Sequence, residues 1–255
     1  MLEKECDCSM YEFVDGVPSS LNKMLRTGKI DISPSSSIEY LKYMDKYSIL
    51  EGHSISSKGY IGSITLFSRK PIESMDGLTI LTSSQSETSV ALLDIILKKS
   101  FRVQCNLKSA ALTHDSDLSD IEAYLLIGDD ALKAVRHYRT KPPKVPFHIY
   151  DLGEIWKKYT GLPFIYALWA YKKDCTEEKK ELLKKFKNDL NRAKTLALRN
   201  LKKLAAESPL INIFDESEII SYWKNISYDL TSEHLKGLEL FRKYSEESGL
   251  LAKIY

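Results

Sequence analysis

A chain of 255 residues with 43% hydrophobic and 28% charged content can form one large domain or two modest lobes with real cores, and its make-up is that of an ordinary soluble globular protein. Its net charge of +2 excludes a global field that would draw it to nucleic acid or to an acidic membrane. Cys6, Cys8, Cys105 and Cys175 show no paired metal-ligand spacing, so they read as free thiols in a reducing compartment. The opening MLEKECDCSMYEF is neither a signal nor a transit sequence, and no apolar run approaches membrane-spanning length. The expectation is a cytoplasmic protein with no membrane and no nucleic-acid partner.

In chain order, Tyr11–Val14 is a short strand candidate and Asp15-Gly16 a turn. Pro18 stands where a first helical residue is favoured, and Leu21, Met24 and Leu25 give an amphipathic helix closed by Gly28. Ile30–Ile32 reads as a strand that runs into the hydroxyl-rich turn Ser33-Pro34-Ser35-Ser36-Ser37, followed by a helix on Ile38, Leu41 and Met44. Tyr47–Leu50 and Tyr60–Ser68 are strands, the second long enough to cross between lobes. Leu78–Leu81 then reads as a buried strand. Thr82–Ser89 is a second hydroxyl-rich turn, and Val90, Leu93, Ile96 and Leu97 carry helical spacing.

Such a turn leaves the first helical N–H groups unpaired where the helix dipole favours an anion. No Lys or Arg lies between Lys70 and Lys98, so an anion there is expected to rest on neutral donors, which suits a carboxylate better than a polyphosphate. The same Ser and Thr residues also read as plain helix caps.

Phe101–Cys105 is a strand candidate and Thr113–Asp120 a polar loop. Tyr124–Ile127 is a buried strand ending in Gly128-Asp129-Asp130, where an Asp reads either as an N-cap or as part of a pocket. Lys141-Pro142-Pro143 breaks the chain, Phe147–Tyr150 begins a strand, and Asp151 caps a short helix stopped by Gly161. Phe164–Tyr171 suits the return crossing. Thr176–Ser208 reads as one helix with a solvated Lys/Arg face, and helices near Glu216–Trp223 and Thr231–Glu247 close the chain.

The alternation predicts an α/β protein with mostly parallel sheets. Its two lobes share a ligand cleft, and its C-terminal tail is helical. The expected division is lobe 1 at residues 1–70, lobe 2 at 71–163, and a return strand with helical tail of lobe 1 at 164–255. Ligands in such sheets bind beyond strand carboxyl ends, and Ser33–Ser37, Thr82–Ser89 and Gly128–Asp130 are three such ends. No phosphate-binding loop or dinucleotide fingerprint is present, and no histidine pair has metal-ligand spacing.

Several motifs carry a resemblance. Gly16-Val17-Pro18-Ser19-Ser20-Leu21-Asn22, Asp31-Ile32-Ser33-Pro34-Ser35-Ser36-Ser37-Ile38-Glu39-Tyr40 and Ser86-Glu87-Thr88-Ser89-Val90-Ala91-Leu92-Leu93 resemble chorismate dehydratase of the futalosine route to menaquinone. So do Leu126-Ile127-Gly128-Asp129-Asp130-Ala131-Leu132, Asp151-Leu152-Gly153-Glu154 with Trp156, Thr160–Phe164, and Ile226–Leu230 through Gly237-Leu238.

The resemblance implies a type II periplasmic-binding-protein-like fold working as a carbon–oxygen lyase, a hydro-lyase. It would convert chorismate to 3-[(1-carboxyvinyl)oxy]benzoate without metal or organic cofactor. Ser35, Ser36, Ser37, Ser86, Thr88 and Ser89 carry over as substrate contacts, with Gly128 and Asp129 as a third wall. The small-molecule substrate is then chorismate, and the oligomeric state stays open.

A sister family, which makes 1,4-dihydroxy-6-naphthoate, presents His-Glu-Gly where this chain has Gly128-Asp129-Asp130. The dehydratase family begins with a further strand and a Tyr-Leu-Asn loop for which this sequence has no counterpart. The catalytic group is therefore unassigned, and the expectation is a truncated gene product with an exposed sheet edge or apolar slot. Asn22 lies in another motif and is expected on a helix surface. A non-catalytic carboxylate-binding protein of the same fold, and less readily the naphthoate synthase, are the alternatives.

Overall fold

The computed structural model describes residues 1–84, 86–116, 118, 120–142 and 146–251. Its first part holds α1 (Leu2–Glu5), α2 (Pro18–Thr27), β1 (Ile32–Ser36), α3 (Ser37–Lys42) and β2 (Tyr47–Ser57). There follow β3 (Ile64–Ser68), β4 (Thr79–Ser83), α4 (Glu87–Ile95), β5 (Asn106–Ala110), β6 (Ala123–Ile127), α5 (Gly128–Thr140), β7 (His148–Asp151) and α6 (Leu152–Thr160). The last part is β8 (Phe164–Lys172), α7 (Glu177–Arg199), α8 (Leu201–Ala206), α9 (Glu216–Asn225), β9 (Ile226–Leu230) and α10 (Ser232–Glu247). Gln85, Asp117, Ser119 and Pro143, which belong to three of the expected turns and loops, lie outside the described residues.

One sheet has the order β1-β8-β2-β9 and the other β5-β4-β6-β3-β7. The mixed α/β class is the expected one, but the sheets are not mostly parallel. Every pair in the first is antiparallel: the returning β8 lies between β1 and β2 and runs against both, and β9 runs against β2. In the second, β4 is parallel to β5 and β6, whereas β3 runs against β6 and β7. The chain changes sheets through residues 58–63 and returns through 161–163, so Ile64–Ser68 already belongs to the five-stranded sheet.

Several local expectations give way to tertiary contacts. Tyr11–Val14 is not a strand: the Tyr11 ring packs edge-on to Phe186 at 5.3 Å and its hydroxyl donates to Asp189 at 2.8 Å. β1 starts later than expected and runs through the serines, with Ser33 and Ser35 buried and Pro34 exposed, a position an edge strand tolerates. Asn22 is buried, not on the surface, because the face of α2 that carries it packs against β1. Phe101 ends a π-helical turn, Ile96–Phe101, that prolongs α4, so the strand expected at 101–105 appears instead as β5.

The long helix breaks at Asn200, whose side-chain amide donates to the Leu196 carbonyl at 2.7 Å. Ile226–Leu230, a motif without a predicted element, forms β9 at the edge of the first sheet. α5 begins at Gly128 without a side-chain cap, since the Asp130 carboxylate is held by the backbone N–H of His114 at 3.0 Å and its Nδ1 at 2.7 Å. Burial alone would raise that carboxyl, but the two His114 contacts hold it below the ordinary value.

One apolar cluster runs through both sheets. It joins Ile38 and Leu41 of α3, Leu92 and Leu93 of α4, Leu66 of β3, Trp156 of α6, Phe164 of β8 and Phe241 of α10. Trp156, Phe164 and Phe241 meet edge to face at 4.9–6.3 Å, and each such buried side chain contributes about 1.5–3 kcal/mol. The Trp156 ring N–H also donates to the Pro163 carbonyl at 3.3 Å, fastening the return passage. Gly237 of α10 lies so close to that carbonyl that an added Cβ would collide with its oxygen.

Gly237→Ala is therefore expected to lower the unfolding free energy by about 1–3 kcal/mol, through overpacking against backbone that cannot yield. An unchanged urea midpoint would contradict the close approach.

His53 and His234 are both buried, and burial holds both rings below the ordinary histidine value of 6.5. His234 Nδ1 accepts from the Thr231 N–H at 3.3 Å in the capping box of α10. The stability contributed by the neutral rings is complete above pH 6.5 and is lost as pH falls through the lowered values. The melting temperature should be flat from pH 8 to about 7 and decline below about 6, and a decline on the alkaline side alone would reject this assignment.

Candidate functional site

The two hydroxyl-rich turns come together where α3 of one sheet meets α4 of the other. Ser36 is the N-cap of α3, its hydroxyl accepting from the Glu39 N–H at 3.4 Å. Ser86 is the N-cap of α4, accepting from the Ser89 N–H at 3.2 Å, with the two hydroxyl oxygens 2.9 Å apart. Thr88 Oγ1 accepts from the backbone N–H of Ile38 at 3.1 Å, a buried bond that joins the two helix starts directly. Ser37 donates to the Ile165 carbonyl of β8 at 2.5 Å. Ser35 is fully buried and its hydroxyl has no hydrogen-bond partner among the described residues, as is also true of Ser33.

Gly128 and Asp129 follow β6, which lies parallel to β4, the strand leading into the Ser86 turn, and their own partners are other residues. The Gly128 N–H donates to the Ser63 carbonyl at 2.7 Å, and Asp129 is exposed in the first turn of α5. Tyr222 of α9 joins them: burial raises its hydroxyl, opposed by a Ser63 hydrogen bond and aided by the Asp129 charge.

The Ile38–Thr88 bond thus ties the two turns together, and five of the six hydroxyls are already engaged: Ser36 and Ser86 as caps, Thr88 across the junction, Ser37 with β8 and Ser89 with Ser86. Ser35, Ser37, Thr88 and Ser89 are buried.

Sequence reasoning misses a cation here. Lys42 of α3, 8% exposed, is ion-paired with Glu87 of α4 across the same junction. The absence of Lys and Arg from 71–97 therefore does not make the site free of positive charge. Only the fold could reveal this, since the two residues are separated by forty-five positions.

A cavity of about 620 Å³ opens elsewhere, between the first sheet and α7–α9, lined by His53, Trp169, Leu190, Ala197, Trp223 and Tyr228 among others. It includes none of the predicted contacts. No helix among the described residues is long and apolar enough to cross a membrane.

Solved proteins share this architecture. A protein from Archaeoglobus fulgidus superposes with a TM-score of 0.73 at 18% identity, over 94% of this chain and 87% of that one. The alkanesulfonate-binding protein of Xanthomonas axonopodis pv. citri, bound to MOPS, gives 0.61 at 13% identity, over 93% and 82%. These likenesses place the chain among proteins of the two-lobed periplasmic-binding-protein-like fold.

Residues 2–247 match the family described as menaquinone biosynthesis. Chorismate dehydratase of Thermus thermophilus is 27% identical over 246 residues, covering 91% of this chain and 85% of that protein. The chain belongs to the menaquinone-biosynthesis family.

Proposed function

We propose that this protein dehydrates chorismate to 3-[(1-carboxyvinyl)oxy]benzoate, acting as a carbon–oxygen lyase. The observation that carries the reading is the Ile38–Thr88 bond, which brings both hydroxyl-rich turns to one junction between the sheets. Family membership and the likeness to a chorismate dehydratase supply the substrate.

Chorismate carries two carboxylates, a ring hydroxyl and an enolpyruvyl ether. Loss of that hydroxyl with one ring proton releases one water and leaves an aromatic ring, so much of the driving force belongs to the substrate. The protein must orient the dianion, let a proton leave and exclude bulk water.

Ser35, Ser36, Ser37, Ser86, Thr88 and Ser89 would hold the carboxylates once the junction opens. Ser35 is the best placed to gain a bond without losing one, since its buried hydroxyl lacks a partner among the described residues. Lys42 would add a positive charge on the same side. Gly128 and Asp129, with Ser63 and Tyr222, would form the wall away from the caps.

Purified protein incubated with chorismate is expected to release the aromatic product, followed by mass spectrometry. Saturable chorismate binding with no product would replace the lyase reading with that of a binding protein. Thr88→Val should weaken chorismate binding about tenfold, roughly 1.4 kcal/mol, by stranding the Ile38 N–H and removing a hydroxyl from the junction. The fold should stay intact by circular dichroism, and unaltered affinity by calorimetry would take Thr88 out of the site.

A further inference from the structure

Asp151 ends β7 and stands at the N-cap of α6, where its Oδ1 accepts from the Glu154 N–H at 2.9 Å. The same carboxylate reaches beyond the helix. The Gly62 N–H donates to Oδ2 at 2.6 Å, and the Ile61 N–H is shared between the two oxygens at 3.2 Å. Ile61 and Gly62 lie in the short passage between Ser57, the last residue of β2, and Ile64, the first of β3. One buried side chain, 5% exposed, thus caps a helix of the second sheet and holds two successive amides of the segment leading in from the first.

The surroundings make this a fixed point. Gly153, two residues on, approaches the passage so closely that a Cβ there would lie 2.5 Å from the Gly59 carbonyl oxygen and 2.6 Å from the Tyr166 hydroxyl. Tyr166 belongs to the return strand β8, and its hydroxyl lies 3.0 Å from Ser57 Oγ at the end of β2. The start of α6 therefore abuts both strands by which the chain leaves and re-enters the first sheet. A carboxylate has acceptor capacity for all three amides and forms charge-assisted bonds with them. A serine can cap the helix but is too short to hold the passage as well.

We propose that Asp151 is a positioning residue that clamps the 58–63 passage and so sets how the two sheets face one another. The junction of α3 with α4 depends on that setting, because the Ile38–Thr88 bond spans the two sheets. Loosening the passage displaces the two hydroxyl-rich turns relative to each other without touching either. The effect on turnover rests on the dehydratase reading; the clamp itself does not.

Site-resolved hydrogen exchange tests the clamp on the intact protein. In the wild type, the Ile61 and Gly62 amides should be protected, and free exchange there would overturn the proposal outright. Asp151→Ser keeps the helix cap and removes the clamp. It should speed exchange at Ile61 and Gly62 by about tenfold or more while the Phe67 and Tyr124 amides of the β3–β6 ladder keep their protection. Wild-type exchange in that variant would show that Asp151 only caps α6.

If Asp151→Ser does not fold, Asp151→Asn, which keeps the size but turns an amide N–H₂ group toward the passage, is read against the same criterion. With chorismate, either variant should raise KM several-fold more than it lowers kcat, whereas an equal fall in kcat/KM through kcat alone would contradict a positioning role. Should the wild type not turn over chorismate, the lyase reading fails and the exchange measurement still decides the clamp.

Discussion

The chain passes between its two sheets twice, through 58–63 and 161–163, and the backbone of those passages is outside either strand ladder. Buried amides and carbonyls in such segments need partners as firmly as those in strands do. Here they are met by elements that pack on the passages: Asp151 for the Ile61 and Gly62 amides, and the Trp156 ring N–H for the Pro163 carbonyl. Two glycines, Gly153 of α6 and Gly237 of α10, let helix backbone approach where any side chain would collide.

The hydroxyl-rich junction is held by more than its polar contacts. A single hydrogen bond such as Ile38–Thr88 contributes only about 1 kcal/mol net, and the Lys42–Glu87 pair has one partner more than half exposed to solvent. Neither locks the sheets together. The apolar cluster that includes Ile38 and Leu41 of α3 with Leu92 and Leu93 of α4 supplies most of the cohesion there, and the two polar contacts fix its register. The hydroxyls of the two turns therefore act both within a helix and between helices. Ser36 and Ser86 order the starts of α3 and α4, and Thr88 joins the two.

Side chains that look alike in sequence divide sharply in space. Ser35, Ser36 and Ser37 are neighbours in the chain, yet one is a buried strand residue without a partner among the described residues, one caps a helix, and one donates to β8. Asp129 and Asp130 divide likewise, Asp129 exposed beside the Tyr222 group and Asp130 tied to His114. Short-range patterns locate such residues but cannot say which way each faces, because the strand-to-helix transition rotates successive side chains by amounts that tertiary contacts decide.

The alternation of strands and helices, the two hydroxyl-rich caps, the Asp151 cap and the family are all legible in the linear chain, because they rest on local propensity, capping chemistry and contiguous motifs. The strand expected at Tyr60–Ser68 is not itself the crossing: the chain crosses through 58–63, and Ile64–Ser68 lies wholly within the second sheet. Long-range packing was needed to insert β8 between β1 and β2, to complete that sheet with β9, and to leave Tyr11–Val14 with no ladder to join. It was needed, too, to bring Lys42 to Glu87, and Asp151 to Ile61 and Gly62. Pairings between residues forty to ninety positions apart are set by how apolar faces are buried together, and that leaves no periodicity in the chain to read.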